Sequence, residues 1–364
     1  MGTFSRIGDE YEQLSWCNDP ATGLRAIIAI HSTALGPALG GTRYFPYDSE
    51  EDALEDVLRL ARGMTYKSAL AGLDLGGGKA VIIGDPDRDK TEALLRTYGR
   101  FIDSLGGRYV TAEDVGTTQA DMDMIWRETA CVTGISPYLG GSGDPSDATA
   151  WGVYWAMRAV AAHLDGTGQA DRDLDGQRVV VSGVGKVGSA LVHLLVEAGA
   201  AVTVTDINAA AVARLVDKFS VEAVDPEKAH TIDCDILAPC ALGASLNDET
   251  VPELSCRAVV GSANNQLAHP GVSSALALRG ICYAPDFVVN AGGVIDIADG
   301  LTAYQPDRAA AAVRRIGATT AAVLRRSDEQ HITTVAAAEA LAEQRIAAVQ
   351  GVQRLRTFPR LSRN

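Results

Sequence analysis

Residues 179–188 read VVVSGVGKVG, an apolar run followed by glycines at the spacing G-x-G-x-x-G. The run predicts a buried strand, and residues 186–198 continue with apolar side chains at helical period. The first glycine permits a tight turn, the second lets the backbone approach a pyrophosphate, and the third lets the helix pack on the strand. Backbone N–H groups at the start of such a helix attract phosphate. We therefore expect this turn to bind a dinucleotide through Gly183, Val184, Gly185, Lys186, Val187 and Gly188.

An aspartate after the next predicted strand indicates which dinucleotide is bound. Asp206 follows the strand at residues 201–205, about 20 residues beyond the glycines, where an acidic side chain meets the ribose hydroxyls. A carboxylate there repels a 2′-phosphate, and the residues after Asp206 include no arginine that could bind one. The predicted cofactor is therefore NAD rather than NADP.

The length and the later part of the chain predict two domains. A chain of 364 residues exceeds the about 250 to 300 residues at which a single core stops growing. Apolar stretches at residues 236–237, 258–260 and 281–283 follow the first two strands of the dinucleotide unit, so this half is expected to form a parallel, doubly wound sheet. The glycine-, serine- and proline-rich residues 140–145 mark the crossing between the halves.

The first half also alternates strands and helices, which makes the whole chain an α/β protein. A helical pattern at residues 50–67 is followed by a glycine cluster, which interrupts the chain before a short strand at residues 80–83. We expect an N-terminal α/β substrate domain at residues 1–138 and a Rossmann-like, doubly wound NAD-binding domain at residues 139–329. The C-terminal helices, about residues 330–364, are expected to pack back on the first domain.

The charge balance and the apolar pattern exclude several kinds of partner. Lysine and arginine total 32 against 46 acidic residues, a net charge of −14 that repels nucleic acid and anionic membrane surfaces. No apolar stretch reaches the about 18 residues of a membrane span, and the first residues do not resemble a signal peptide. The six cysteines and six histidines are not spaced as metal ligands. We expect a cytoplasmic protein without a metal site.

Two lysines and an aspartate in the first half stand where proton transfer would need them. Lys79 follows three glycines and begins an apolar strand, Lys67 ends a helix, and Asp114 follows a strand at residues 109–110. An ammonium in apolar surroundings loses solvation, which lowers its pKa and lets it act as a base. A carboxylate can exchange protons with an amine. Exposed surface lysines are the alternative interpretation of both lysine positions.

Several segments together resemble the glutamate/leucine/phenylalanine/valine dehydrogenase family. The similarity extends from about residue 24 to the C-terminal helices, and within the family it is greatest to the valine dehydrogenases of actinobacterial type. The segments are LDLGGGKAVIIGDP at residues 73–86, GPALGGTR at 36–43, TAEDVGT at 111–117, NNQL at 264–267 and NAGGV at 290–294.

The resemblance implies a role for each matching residue. Lys79 would be the general base that activates water, and Asp114 would assist proton transfer at the amino group. Lys67 would bind the substrate carboxylate, with help from the backbone at Gly40 and Gly41. Further contacts beside the nicotinamide would come from Asn264, Thr149, Cys240 and Ala241. The substrate side chain would meet Leu39, Ala112 and Val294.

The activity that this resemblance implies is NAD-dependent oxidative deamination of a branched-chain, valine-like L-amino acid to its 2-oxo acid and ammonia, together with the reverse reductive amination. A phenylalanine or leucine dehydrogenase of the same family is the alternative among enzymes. A non-catalytic NAD-binding sensor is the alternative from another class, although a sensor would not need Lys67, Lys79 and Asp114. A homo-oligomer, dimer or octamer, is expected.

Overall fold

The computed structural model describes residues 7, 10–166, 172–241 and 243–350. These residues divide into two compact units. The first comprises the described residues of Met1–Asp144, Ile297–Pro306 and Ala342–Asn364, and the second those of Pro145–Asp296 and Asp307–Leu341. The first boundary thus follows Asp144 rather than residue 138.

A short return segment of the first unit is not apparent from the sequence. Residues 297–306 belong to this unit, and the hydroxyl of Thr133 donates a hydrogen bond to the carbonyl of Ile297. Of the C-terminal helices, expected to pack on the first domain from about residue 330, only the part from Ala342 onward groups with the first unit. The expected helical segment also includes residues 351–364, which lie outside the described residues.

The first unit is built on a five-stranded mixed sheet in the order β1-β2-β4-β3-β5. β2 pairs antiparallel with β1 and β4, whereas β3 is parallel to β4 and β5. The strands are β1 Gln13–Asp19, β2 Leu24–Ser32, β3 Ala38–Phe45, β4 Gly76–Ile83 and β5 Tyr109–Glu113.

Helices cover both faces of this sheet. The long helix α1 begins after Ser49, whose side chain accepts a hydrogen bond from the N–H of Asp52, as an N-cap requires. Its buried side packs on one sheet face, and a larger core lies on the other. The helices of the first half are α1 Glu50–Leu70, α2 Pro86–Asp89, α3 Glu92–Ser104 and α4 Gln119–Trp126.

The glycine cluster before Lys79 does not interrupt the chain, which corrects the expectation from the sequence. The glycines at residues 76–78 are the first three residues of β4 and are buried like the rest of the strand. Glycine is depleted in strands because it contributes no side chain to packing. Here the neighbouring backbones approach so closely that only glycine fits. Strand pairing therefore outweighs the low strand propensity of glycine.

The second unit contains the expected parallel, doubly wound sheet, in the order β11-β10-β9-β6-β7-β8. All of its pairings are parallel. The order reverses between β6 and β9, and in such sheets ligands bind beyond the carboxyl ends of the strands at this reversal. The strands are β6 Arg178–Ser182, β7 Ala201–Thr205, β8 Glu222–Ala223, β9 Cys234–Pro239, β10 Cys256–Val259 and β11 Cys282–Tyr283.

In the second half one α-helix precedes β6, α-helices separate β6 from β7, β7 from β8 and β10 from β11, and further helices continue to the end of the described chain. None of the helices within the described ranges is both long and apolar enough to cross a membrane. They are α5 Ser146–Leu164, α6 Lys186–Glu197, α7 Ala209–Phe219, α8 Gly271–Leu278, α9 Asp286–Val289, α10 Gly292–Asp299, α11 Pro306–Gln330 and α12 Thr334–Gln350.

Candidate functional site

One face of the first sheet carries most of the residues that the sequence singled out in the first unit. Side chains alternate between the faces of a strand, and Val81 packs with Ile27 and Ala29 against α1. Lys79, two residues before Val81, therefore points to the α1 face. The strand registers assign the same face to Leu39, Gly41, Arg43, Ala112 and Asp114.

Lys79 and Asp114 form a largely buried ion pair. Nζ of Lys79 lies 3.1 Å from Oδ1 of Asp114, and the two side chains are 6% and 21% exposed. The N–H of Asp114 donates to Oγ1 of Thr117 over 2.9 Å, and that hydroxyl donates to the carbonyl of Thr42 over 2.9 Å. The lysine and the aspartate that were expected to transfer protons are thus in direct contact and held in place.

The charges around Asp114 keep its carboxylate ionised. Burial alone would raise the pKa of Asp114, but the positive charges of Lys79 and Arg43 outweigh burial and hold the pKa below its ordinary value. A carboxylate in this state can accept hydrogen bonds from ammonium groups, as it does from Lys79.

Two adjacent glycines of β3, which face opposite sides of the sheet, allow close packing around the site. A Cβ on Gly40 would lie 1.7 Å from the carbonyl oxygen of Gly78, and a Cβ on Gly41 would lie 2.9 Å from Cβ of Asp114. The hydroxyl of Tyr109 donates to the carbonyl of Gly40 over 2.6 Å. A side chain at residue 41 would therefore displace Asp114.

Lys67 lies near the C-terminal end of α1, where the helix meets the glycine strand. A Cβ on Gly77 would lie 2.1 Å from the backbone nitrogen of Thr65, so the helix touches β4 two residues before the partly buried Lys67. The guanidinium of Arg345 donates to the carbonyls of Ala69 and Leu73 over 2.9 and 2.8 Å. Ala69 belongs to the last turn of α1 and Leu73 lies just beyond it, so Arg345 of α12 ties down the C-terminal end of α1.

Two of the three residues expected to line the substrate pocket belong to this unit. Leu39 and Ala112 are 1% and 3% exposed and share the α1 face. Leu39 is paired in register with Gly77 and Val110. Val294, the third residue, belongs to the second unit, where it is 9% exposed in α10.

The glycine turn of the second unit has the strand-turn-helix context that a dinucleotide needs. Gly183 has a φ of +103°, and its Cβ would lie 2.6 Å from the backbone nitrogen of Ala241. A Cβ on Gly188 would lie 2.0 Å from the carbonyl oxygen of Gly183, whereas none of the atoms described lies within 4 Å of one on Gly185. The outer glycines are needed for packing, and the open surface over Gly185, the N-cap of α6, suits a phosphate.

Asp206 is tied to this turn by its carboxylate. Oδ2 accepts a 2.7 Å hydrogen bond from the N–H of Val184, and Oδ1 accepts a 2.8 Å bond from the N–H of Asn208. Each carboxylate oxygen can accept more than one hydrogen bond, so Asp206 retains the capacity to accept hydrogen bonds from hydroxyl groups of a ligand. The neighbouring Ile207 is 93% exposed and offers no positive charge to a phosphate.

Asn264 is oriented by a second asparagine, to which the sequence patterns assign no role. Nδ2 of Asn290 donates to Oδ1 of Asn264 over 2.8 Å and to the carbonyl of Ser262 over 3.1 Å. Asn264 is exposed, whereas Asn290 is buried. The amide plane of Asn264 is thus fixed by a buried neighbour.

The remaining residues expected beside the nicotinamide lie at loop and helix starts of the second unit. Oγ1 of Thr149 donates to the carbonyl of Pro145 over 3.0 Å, and Ala241 follows β9 and packs on Gly183. Burial raises the pKa of the Cys240 thiol, which keeps the thiol protonated and unsuited to nucleophilic chemistry. Groups of three or more His, Cys, Asp and Glu able to hold a metal are absent from the described ranges.

Comparison with known proteins identifies the family. Residues 12–131 match the domain described as "Glu/Leu/Phe/Val dehydrogenase, dimerisation domain", and residues 140–215 and 207–353 match "Glutamate/Leucine/Phenylalanine/Valine dehydrogenase". The chain belongs to the Glu/Leu/Phe/Val dehydrogenase family. It is therefore an amino-acid dehydrogenase, as the resemblance implied.

The relatives of this dehydrogenase cover nearly its whole length. It is 54% identical over 337 residues to a leucine dehydrogenase of Geobacillus stearothermophilus, covering 93% of this chain and 91% of the relative. It is 56% identical over 339 residues to a valine dehydrogenase of Streptomyces virginiae, covering 92% and 94%. Among solved structures, an L-tryptophan dehydrogenase from Nostoc punctiforme superimposes with a TM-score of 0.83 at 41% identity, covering 96% of this chain and 98% of that one.

Arg43 and Asp56, which lie behind Asp114, are a second part of this dehydrogenase site that sequence reasoning missed. Nε of Arg43 donates to Oδ2 of Asp114 over 2.9 Å, and Nη1 donates to Oδ2 of Asp56 over 2.8 Å. Asp56 also accepts hydrogen bonds from Tyr47 and Arg59. These partners are far apart in the chain, and the only signal for them was the arginine that ends the segment at residues 36–43.

Proposed function

We propose that this dehydrogenase catalyses NAD-dependent oxidative deamination of a branched-chain, valine-like L-amino acid to its 2-oxo acid and ammonia, and the reverse reductive amination. The observation that carries the proposal is the buried contact between Lys79 and Asp114, since it joins a potential base to a carboxylate on a glycine-lined sheet face. Relatives named leucine dehydrogenase and valine dehydrogenase are similar at 54% and 56% identity. Leucine is accordingly the second candidate substrate.

Three features support NAD as the cofactor. The surface over Gly185 is open, the N-terminus of α6 follows it directly, and Asp206 brings a carboxylate to the ribose position. The chemistry that NAD supplies when bound is acceptance of a hydride from Cα of the substrate. A 2′-phosphate would meet the negative charge of Asp206 without a compensating cation, which disfavours NADP.

The residues of the first unit would perform the proton transfers. Lys67 binds the substrate carboxylate, and the backbone at Gly40 and Gly41 assists. Lys79 removes a proton from the water that adds to the substrate iminium. Asp114, which first takes a proton from the substrate ammonium, returns it to the nitrogen of the carbinolamine; ammonia then leaves, and the proton of the C–OH group passes back to Asp114 as the 2-oxo acid forms.

The residues beside the nicotinamide and the substrate side chain complete the proposal. Asn264 would orient the substrate, and Thr149, Cys240 and Ala241 would flank the nicotinamide, with Cys240 in a packing role. Leu39, Ala112 and Val294 would limit the size of the substrate side chain. Three such apolar residues favour branched aliphatic substrates over an aromatic ring, because a ring in a filled pocket causes overpacking.

A substrate screen tests the proposal. Purified protein is mixed with NAD and each common L-amino acid in turn, and NADH is followed by its absorbance. We expect valine, leucine, isoleucine or 2-aminobutyrate to give the highest kcat/KM, with NADP a poor substitute for NAD. NADH binding without turnover on any amino acid would favour the non-catalytic sensor instead, and a preference for phenylalanine would favour the aromatic alternative.

We also infer that the enzyme is a cytoplasmic homo-oligomer, either a dimer or an octamer. The match of residues 12–131 to a domain described as a dimerisation domain supports self-association. The net charge of −14 argues against nucleic acid and anionic membranes as partners. Light scattering after size-exclusion chromatography would measure the assembly, and a monomer would contradict it.

A further inference from the structure

The side chain of Arg43 bridges two carboxylates behind the proposed active face. Its Nε binds Asp114 over 2.9 Å and its Nη1 binds Asp56 over 2.8 Å. The side chains of Arg43 and Asp56 are 21% and 16% exposed, so both contacts are largely shielded from solvent. A planar guanidinium can hold two carboxylates at once with fixed geometry, which a lysine ammonium does less well.

The two oxygens of Asp114 are divided between two cations. Oδ1 faces Lys79 and Oδ2 faces Arg43. Rotation of the carboxylate would exchange the oxygens only if the bond to Arg43 broke. Since Asp56 holds the other side of the guanidinium and is itself bound by Tyr47 over 2.7 Å, the arginine is not free to follow such a rotation.

We propose that Arg43, anchored by Asp56, is a positioning residue that fixes Asp114 so that Oδ1 is the oxygen available for proton exchange. The proposal rests on the proposed role of Asp114 in that exchange. The ion pairs of Arg43 join it to Asp114 and Asp56, so it acts on the reaction through Asp114. Its charge also favours the ionised form of Asp114, so its loss should affect the pH dependence of the reaction as well as its rate.

The test compares Arg43→Gln and Arg43→Lys with the wild-type enzyme. Arg43→Gln should lower kcat about 10- to 100-fold, less than loss of an acid–base group itself, which costs about 10² to 10⁴-fold. The KM for NAD should stay unchanged. The acidic limb of the kcat–pH profile should move to higher pH, because the pKa of Asp114 rises when the arginine charge is lost. Arg43→Lys keeps the charge, so it should restore the position of the limb without restoring full kcat.

A matched control separates this role from general support of the fold. Arg59 also binds Asp56, over 2.9 Å, but its side chain is 55% exposed and its ion pair is with Asp56 rather than with Asp114. Arg59→Gln should leave kcat and the pH profile unchanged. Asp56→Asn, which removes the anchor, should lower kcat in the same direction as Arg43→Gln.

The outcomes distinguish this inference from the proposed function. If Asp114→Asn keeps wild-type turnover, the proposed role of Asp114 fails, and the role of Arg43 fails with it. If Asp114→Asn is impaired while Arg43→Gln keeps its kcat and its acidic limb, only the positioning role is overturned. If Arg43→Gln does not fold, Arg43→Lys decides, since full kcat in that variant would show that bridging two carboxylates is unnecessary.

Discussion

Nζ of Lys79 lies 3.1 Å from Oδ1 of Asp114 on a sheet face where neighbouring backbones leave room for few side chains. A lysine this deeply buried normally requires a carboxylate partner, because an unpaired buried charge is costly. The same partner keeps the lysine next to the group with which it would share protons. The pair therefore links the stability of the first unit to the proposed chemistry.

Replacing the lysine tests its role as the base. Lys79→Ala should lower kcat for deamination by about 10² to 10⁴-fold and leave NADH binding nearly unchanged, because the glycine turn belongs to the second unit. Stopped-flow turnover and fluorescence titration with NADH measure the two quantities. Lys90→Ala is the control, since Lys90 forms a 2.7 Å ion pair with Asp121 and should affect stability but not kcat. Turnover near wild type in Lys79→Ala would contradict the assignment.

The lowered pKa of Asp114 predicts how stability depends on pH. The folded pKa lies below the unfolded value of about 3.9, so the ionised pair stabilises the fold above that value, and the stabilisation is lost as pH falls through the folded pKa. Asp114→Asn should cost about 3 kcal/mol at pH 7, and the difference from wild type should shrink below pH about 4. Guanidinium unfolding at several pH values measures it. A difference that stays constant down to acidic pH would argue against an ionised Asp114.

Cofactor choice is tested at the end of β7. Asp206→Ser combined with Ile207→Arg removes the repelling carboxylate and adds a cation, so the ratio of kcat/KM for NADP to that for NAD should rise. The exposed position of Ile207 makes the second substitution sterically harmless. Asp206→Ser loses two hydrogen bonds to backbone N–H groups, so the single variant is needed to separate this loss from the charge effect. An unchanged cofactor ratio in the double variant would refute the assignment.

Substrate size is tested at the three apolar positions. The triple variant Leu39→Ala, Ala112→Gly and Val294→Ala should shift activity toward phenylalanine, because it removes bulk from the expected pocket. The wild-type enzyme should prefer branched aliphatic substrates, with valine and leucine separated by only about 1 to 3 kcal/mol per methylene. Measurement of kcat/KM for L-valine, L-leucine and L-phenylalanine on both proteins decides the matter. A wild-type preference for phenylalanine would overturn the pocket argument but not the family assignment.

Local sequence signals predicted the second unit well. The valines before Gly183 and the helical period after it anticipated β6 and α6 within a residue or two, because alternation and glycine spacing act over short distances. In the first unit, the glycines of β4 were predicted to precede the strand, because their neighbours in the chain alone suggest a loop. Their strand conformation depends on contacts with Thr65 and Ala29, which lie outside any local window.

In the candidate site, too, residues marked by a nearby sequence pattern were predicted, whereas contacts between residues far apart in the chain were not. Lys79 and Asp114 were found because each follows a recognisable strand or glycine pattern. The bond from Arg43 to Asp114 joins residues 71 positions apart, and its bond to Asp56 joins residues 13 apart. Nothing in the sequence around Arg43 or around Asp114 indicates that these charges meet. Only the parallel pairing of β3 with β5 brings Arg43 and Asp114 together.

The glycines of the α1 face also restrict how an enzyme of this kind can diversify. At Gly41 and Gly77 an added carbon would lie 2.5 and 2.1 Å from backbone atoms, so the packing of the main chain excludes a side chain at either position. Leu39 is paired with Gly77 and Ala112 with Gly41, and both already carry side chains. With the pocket proposed above, a lineage with this sheet would change its substrate preference by exchange at residues 39 and 112, while the residues proposed for proton transfer stay the same.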